Sequence, residues 1–298
     1  MDIEKLFPAY KDNLWGGSRL KEKYGKLTDT EPLAESWELS FHEAGLTRLK
    51  DGKPLSEVVK KEDLGENAEK FRFFPVLNKF IDAKQDLSVQ VHPSDEYALK
   101  HENSFGKTET WYVVEADEGA GIYLGFKKNV TREEFARSVK DNTLIGLLNF
   151  FQVKAGESYF IPAGTVHAIG KGCLIYEIQQ NSNLTYRVYD YGRKDKNGKE
   201  RELHVEKALE VTDFSLYRAP VFPKGVIAEC KYFRAEKISV KGSLNLFSDG
   251  KSFRCITCVR GGGLLEEQRI SAGDSFFVPA GYGEYSVSGD MEFVLTEV

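Results

Sequence analysis

The 298 residues include only four cysteines, Cys173, Cys230, Cys255 and Cys258. They are too few and too scattered for a disulfide framework, and a reducing cytoplasm is the compartment they fit. Cys255 and Cys258 form a Cys-x-x-Cys, but no second pair or histidine follows it. On a strand, positions three apart face opposite ways, so no metal or redox role is expected there. Met1 to Tyr10 lacks the apolar core of a secretory signal, and no run approaches the length of a membrane span. There is no excess of basic charge either. A net charge of −5 and a pI near 5.7 argue against nucleic acid and anionic membranes as partners. An anionic substrate would have to be held by local Lys and Arg. Gly261-Gly262-Gly263 lacks the Lys-Ser/Thr of a phosphate loop and reads as a hairpin turn.

What is present is an ordinary globular balance, 41% hydrophobic and 29% charged, in a chain long enough for two domains of about 150 residues each. Its most informative stretch runs from Leu87 to Trp111. Leu87, Val89 and Val91 alternate with Ser88, Gln90 and His92, the period of a strand with one apolar and one polar face. A hydroxyl, an amide and an imidazole in a row suit the inside of a site. Lys107, Glu109 and Trp111 then share a face of what reads as the next strand, adjacent to the first. A third element, residues 159 to 170, carries His167 just past a turn at Gly164. Two histidines and a glutamate on neighbouring strands of a small barrel make a transition-metal site, with Gln90 as a weaker oxygen ligand. Zn²⁺, one per chain, suits Gln90, His92, Glu109 and His167, and the set leaves room for water or substrate. Trp111 reads as core rather than a sugar platform, and His101 as solvent-exposed.

Elsewhere the pattern is short strands and turns. Glu35 to Ser40 reads as a strand, Pro54 to Asp63 as a short helix, Phe74 to Ala83 as a largely apolar strand and Ser94 to Glu102 as a helix. Thr131-Arg-Glu-Glu134 is a capping box that predicts a helix to about Lys140, with a second short helix to Leu148. That helical stretch is too short to bury a core of its own, so it reads as an insertion on the barrel. Cys173 to Gln180 and Leu184 to Tyr191 read as a hairpin, Asn197-Gly198 as a turn, His204 to Val211 as a helix and Pro220 to Pro223 as a linker. Ala155 to Gly164 recurs as Ala272 to Gly281, a repeat at domain-sized spacing that predicts two copies of one supersecondary plan. In the second copy Glu284 stands where the first has His167. The division expected is therefore 1–213, with the metal, and 214–298, without it.

The pattern around Gly156, Phe160, Pro162-Ala-Gly164 and His167 resembles the cupin superfamily. Trp15-Gly-Gly17, Glu35-Ser-Trp-Glu38, Leu87-Ser-Val-Gln-Val-His-Pro93, Gly106-Lys-Thr-Glu-Thr-Trp-Tyr112, Gly164-Thr-Val-His-Ala-Ile-Gly170, Glu177-Ile-Gln-Gln180 and Thr185-Tyr-Arg-Val-Tyr-Asp-Tyr191 follow in that order. Together they resemble class I mannose-6-phosphate isomerase (phosphomannose isomerase) in its short bacterial form, from about residue 10 to 212 and more loosely beyond. The fold expected is mostly β: two cupin-type jelly-roll barrels with a small helical insertion in the first. The resemblance implies zinc on the same four residues, an interconversion of mannose 6-phosphate and fructose 6-phosphate, and an essential arginine at Arg187. The family often has Asp where this chain has Asn183.

For an aldose–ketose isomerase the intermediate is an enediolate, whose charge a metal ion offsets by polarising the carbonyl oxygen. Glu177, Lys107 and a hydroxide on the metal are all candidates for the acid/base, and the choice stays open. Arg187 is expected to clamp phosphate through its planar fork or to stabilise the transition state, with Ser88, Lys107 and Arg193 assisting. A small-molecule sugar phosphate is the partner expected, with the protein a monomer or small homo-oligomer. The rival readings are a cupin non-haem Fe(II) oxygenase, which shares the two-His, one-carboxylate set, and a non-catalytic sugar-binding cupin.

Overall fold

A computed structural model describes residues 1–194 and 198–298. The expected turn at Asn197-Gly198 falls partly outside the described residues. The first part of the chain supplies β1 (Glu4–Lys5), β2 (Ala9–Lys11), β3 (Glu35–Leu39), β4 (Val76–Ala83), β5 (Val89–Val91) and β6 (Glu109–Ala116). It continues with β7 (Gly121–Phe126), β8 (Leu148–Gln152), β9 (Ser158–Ile161), β10 (His167–Ile169), β11 (Cys173–Gln180) and β12 (Tyr186–Tyr189). The remainder gives β13 (Val226–Glu229), β14 (Arg234–Ser248), β15 (Arg254–Leu265), β16 (Gln268–Ser271), β17 (Ser275–Val278) and β18 (Gly283–Glu297).

These strands form three sheets. One runs β2-β3-β4-β11-β6-β9 and a second β12-β5-β10-β7-β8. The third runs β1-β17-β15-β18-β14-β13, with β16 beside β15. The N-terminal β1 thus pairs into the C-terminal sheet. Two apolar clusters bind the layers together. Ile81, Trp111, Val113 and Ile175 of the six-stranded sheet pack on Ile122, Leu124 and Ile169 of the five-stranded one. On its other face the six-stranded sheet packs Phe80, Tyr176 and Ile178 against Phe253, Cys255 and Phe277 of the C-terminal sheet. The six-stranded sheet is therefore covered on both sides, which is why β4 and β11 are buried along their whole length.

The helix at Arg132–Lys140 forms as its cap predicts: Thr131 Oγ1 accepts the Glu134 amide at 3.1 Å. With Ala208 of the helix Val205–Val211, its Phe135 and Val139 cover the outer face of the five-stranded sheet. The second short helix is one 3₁₀ turn, Leu144–Leu147, because Leu148 already opens β8. The segment read as one helix from Pro54 is two, Leu55–Val58 and Lys61–Leu64.

Two pairings differ from expectation. The stretches around β11 and β12 do not form a hairpin: β11 lies between β4 and β6, while β12 pairs with β5 in the other sheet. Nor are the strands carrying Gln90 and Glu109 adjacent. They belong to facing sheets, and His167 of β10 is the direct partner of Gln90. Alternation fixes which residues share a face but says nothing about which strand lies alongside. In the repeat, Ile161 pairs with Glu109 and its counterpart Val278 pairs with Arg254. An arginine, bonded to Glu297 and Tyr285, occupies the second copy's place for Glu109.

Candidate metal centre and the cavity beside it

His92, Glu109 and His167 converge, each offering a ligand atom within 4.8 Å of the others, and all three are buried. They come from the end of β5, the start of β6 and the start of β10, so both sheets contribute. His92 Nε2 is 3.6 Å from Glu109 Oε2, and His167 Nε2 is 3.4 Å from Oε1. Ligand atoms bound tetrahedrally to one ion at about 2 Å lie roughly 3.3 Å apart. The spacing therefore fits a single small cation.

The imidazoles are prepared for that role from behind. His92 Nδ1 donates to the Leu184 carbonyl at 2.7 Å and His167 Nδ1 to the Thr165 carbonyl at 2.8 Å. Each bond places the proton on Nδ1 and turns the Nε2 lone pair inward, the second-shell arrangement typical of metal-binding histidines. Burial pushes the His92 pKa well below its ordinary value, with Lys107 acting in the same direction. Burial and Lys107 together bring His167 down to about 4. Both rings are neutral, as ligands must be.

Glu109 supplies the test of fit. It is fully buried, and Oε1 has no hydrogen-bond donor. The Lys107 ammonium pairs with Oε2 at 2.5 Å and lies 3.2 Å from His92 Nε2. Oε1 faces the His167 Nε2 lone pair with no donor between them, a costly arrangement that a bound cation would relieve. Burial raises the Glu109 pKa and Glu177 adds to the rise, while Lys107 opposes both. Gln90 sits at the same place, its amide nitrogen 3.3 Å from His167 Nε2. Rotating that amide by half a turn would present oxygen instead.

A cavity of about 290 Å³ opens beside this group, and Gln90, Lys107 and Glu177 line it. Glu177 Oε1 is 3.3 Å from both Lys107 and Lys79, and Oε2 accepts the Trp111 indole N–H at 2.9 Å. Burial alone would raise the Glu177 pKa, but the two ammonium groups outweigh it and hold the carboxyl well below its usual range. Trp111 is buried edge-on against His167 and is core, not a sugar platform. At the other rim Arg187 Nε donates to Ser88 Oγ at 3.2 Å and its Nη1 to the Glu202 carbonyl at 3.0 Å. Both residues line the cavity, as does Asn183.

Arg193 does not line it. Its guanidinium is spent on Asp190 and on the Asp86 carbonyl behind the wall. Arg201 lines the cavity in its stead, held by Asp190 at 2.6 and 2.7 Å. The sequence reading also passed over Glu35 and Lys79. Lys79 bridges Glu35 Oε2 at 3.2 Å and Glu177. A lysine inside a largely apolar strand was the available signal, since lysine is seldom buried without a partner.

Residues 3–119 match a family model described as the phosphomannose isomerase type I catalytic domain, and residues 224–298 one for the mannose-6-phosphate isomerase cupin domain. The chain is 36% identical to the mannose-6-phosphate isomerase ManA of Bacillus subtilis, over the whole of both chains. It is 35% identical to a mannose-6-phosphate isomerase of Streptococcus mutans, over 94% of this chain and 93% of the relative. A crystal structure of the mannose 6-phosphate isomerase from Bacillus subtilis superposes with a TM-score of 0.91, at 31% identity and full coverage of both chains.

Proposed function

Because the chain belongs to the mannose-6-phosphate isomerase family, we propose that it interconverts mannose 6-phosphate and fructose 6-phosphate in the cavity beside His92, Glu109 and His167. The observation that carries the proposal is the convergence of His92, Glu109 and His167: a buried carboxylate whose Oε1 has no hydrogen-bond donor, faced by two imidazoles whose tautomers are fixed from behind. With Gln90 these residues would hold one Zn²⁺. The ion, when bound, offsets the negative charge that builds on the sugar's C1 and C2 oxygens as the enediolate forms.

The chain's own residues supply the rest. A proton must leave the carbon beside the carbonyl and return to its neighbour. Glu177 and Lys107, 3.3 Å apart and both on the cavity wall, form the acid/base pair in this reading. Glu177 is the acceptor. Lys79 and Lys107 keep it ionised and free to accept at neutral pH, as a weak base. Arg187 grips the phosphate through donors that Ser88 and the Glu202 carbonyl orient, which places the sugar's reacting end toward Gln90 and Lys107. Asn183 cannot accept a proton, so no step is assigned to it.

The two-barrel division belongs to the same proposal: residues 1–213 as the metal-binding half with its helical insertion, and 214–298 as a second cupin barrel in which Arg254 and Glu284 replace ligands. Among the described residues no helix is long and apolar enough to cross a membrane, and the cytoplasm is the compartment we assign. A coupled assay of fructose 6-phosphate formed from mannose 6-phosphate tests the proposal. Turnover that chelator abolishes and Zn²⁺ restores supports it. Sugar-phosphate binding without turnover, or oxygen uptake with Fe(II), contradicts it.

A further inference from the structure

The cavity lies on one face of three neighbouring strands, β3, β4 and β11, and the C-terminal sheet lies against the other. On the cavity face, Lys79 of β4 spans from Glu35 of β3 to Glu177 of β11. On the opposite face, each of the three strands sends one polar side chain to the C-terminal sheet. The Tyr176 hydroxyl of β11 donates to Thr257 Oγ1 at 2.7 Å, and Thr257 Oγ1 is 2.9 Å from Ser275 Oγ. The Ser275 hydroxyl donates to Glu38 Oε2 of β3 at 3.0 Å. Between them, Asn78 Nδ2 of β4 donates to Thr296 Oγ1 at 3.2 Å. Glu38, Asn78, Tyr176, Thr257, Ser275 and Thr296 are all at 0% exposure.

Glu38 is more than a buried anchor. The register between β3 and β4 pairs Trp37 with Lys79 and then Leu39 with Asn78, which leaves Glu38 as the extra residue of a bulge. A bulge changes where the neighbouring side chains point, and bulges cluster beside active sites for that reason. Here it lets Glu38 and Leu39 both turn to the C-terminal side, while Trp37 and Glu35 line the cavity. The carboxylate is pinned from three directions: by Ser275, by the Ser36 hydroxyl at 2.6 Å and by Lys26 Nζ at 2.6 Å. The halves are already joined by a large aromatic and aliphatic cluster. An added buried carboxylate and hydroxyl chain contributes little to adhesion once desolvation is counted, but it does fix a position.

We propose that the chain Tyr176–Thr257–Ser275–Glu38 is a positioning device through which the C-terminal half serves the reaction. The proposal rests on the isomerase reading above. None of these residues touches the cavity. They hold β3 and β11 at a set separation from behind, and so set the spacing of Glu35 and Glu177 about Lys79, and with Glu177 the position of Lys107. The Lys79 bridge on one face and the hydroxyl chain on the other act on the same pair of strands. The C-terminal half, with Arg254 in place of a metal ligand, then contributes geometry rather than a second site.

Thr257→Val tests this with almost no change of volume, Ser275→Ala breaks the chain one link further on, and Thr257→Ser restores the hydroxyl. The readouts are kcat and KM for mannose 6-phosphate, zinc per chain, and amide hydrogen exchange over residues 35–39 and 173–180. Misplacement by a fraction of an ångström to an ångström costs on the order of 10- to 100-fold in rate. We therefore expect Thr257→Val and Ser275→Ala each to lower kcat about tenfold or more per folded molecule, with KM within about threefold of the parent and zinc content unchanged. Exchange should quicken in β3, and Thr257→Ser should recover kcat to within about twofold. If kcat per folded molecule stays within about twofold of the parent while exchange quickens, the chain only stabilises the fold and the proposal is overturned. Should Thr257→Val not fold, Ser275→Ala decides by the same criteria. If the parent itself shows no turnover, the isomerase reading falls instead, and exchange in β3 still decides whether the clamp exists: unaltered exchange overturns it.

Discussion

Replacing Lys79 by methionine removes the cation that joins Glu35 to Glu177. The side chain is only 9% exposed, and its ammonium sits 3.2 Å from Glu35 and 3.3 Å from Glu177. Burial by itself would lower its pKa, but Glu177, Glu35 and Glu109 more than offset that and keep it charged. Three carboxylates here face two ammonium groups, Lys79 and Lys107, one positive charge short of neutrality before any metal is considered. Without Lys79 the shortfall doubles. Removing one member of a buried ion pair costs about 3–5 kcal/mol. Water in the adjoining cavity screens part of that, so about 3 kcal/mol is the value to expect. At roughly 2–4 °C per kcal/mol the thermal midpoint should fall by about 6–12 °C. The pH dependence has a definite sign. In the parent, Glu177 is held below its ordinary pKa of 4.5, so its stabilisation is present above that pH and lost as pH falls. In Lys79→Met a carboxyl gains by taking up a proton, so acidification helps the variant. The gap between the two proteins should therefore be widest near pH 8 and narrow toward pH 5. Differential scanning calorimetry across that range measures it, alongside kcat/KM, which should drop at least ~100-fold through the displaced Glu177. A variant with an unshifted midpoint and parental kcat/KM would refute the charge account of the cavity.

Other perturbations separate the remaining roles. Arg187→Ala should lower kcat/KM by about 10²-fold or more with zinc retained, whereas Arg193→Ala, behind Asp190, should change kcat/KM less than about tenfold; equal losses would contradict the assignment of the clamp. In chelator-treated protein His167 is neutral when folded, with a pKa near 4, but takes a proton below 6.5 when unfolded. Its stabilisation is complete above pH 6.5 and is lost as pH falls from 6.5 to 4, an amount of about 3 kcal/mol. Glu109, its pKa raised to about 7 chiefly by burial, gains stability over the same window and opposes this loss, so the test is the difference: the parent's midpoint should drop relative to that of His167→Gln as pH falls from 6.5 to 4, and a constant gap would contradict a buried neutral imidazole.

Much of the site was legible because alternation along a strand is a local property. Gln90, His92 and His167 lie at positions whose neighbours are apolar, which marks their faces as inward; Glu109 stands between Thr108 and Thr110 and is marked by Trp111 on its own face. What alternation cannot encode is which strands meet. The strands carrying Gln90 and Glu109 proved to face each other from two sheets, and β11 and β12, read as a hairpin, go to different sheets. Arg193 was expected at the phosphate, and only the fold shows that it is held behind Asp190 while Arg201 lines the cavity. Lys79 escaped because Asn78, Lys79 and Asp82 break the apolar run of β4 without setting a period that marks one face as the site. The bulge at Glu38 has no local signal, and one of the groups that hold its carboxylate, the Ser275 hydroxyl, lies 237 residues away.

The central claim is that His92, Glu109 and His167 bind one metal ion on which turnover depends. Zinc titrated into chelator-treated protein by calorimetry, with Glu109→Gln in parallel, tests it most directly. One equivalent of tight binding in the parent, weakened by orders of magnitude in Glu109→Gln, is the result predicted. Equal zinc affinity in the two proteins would contradict it.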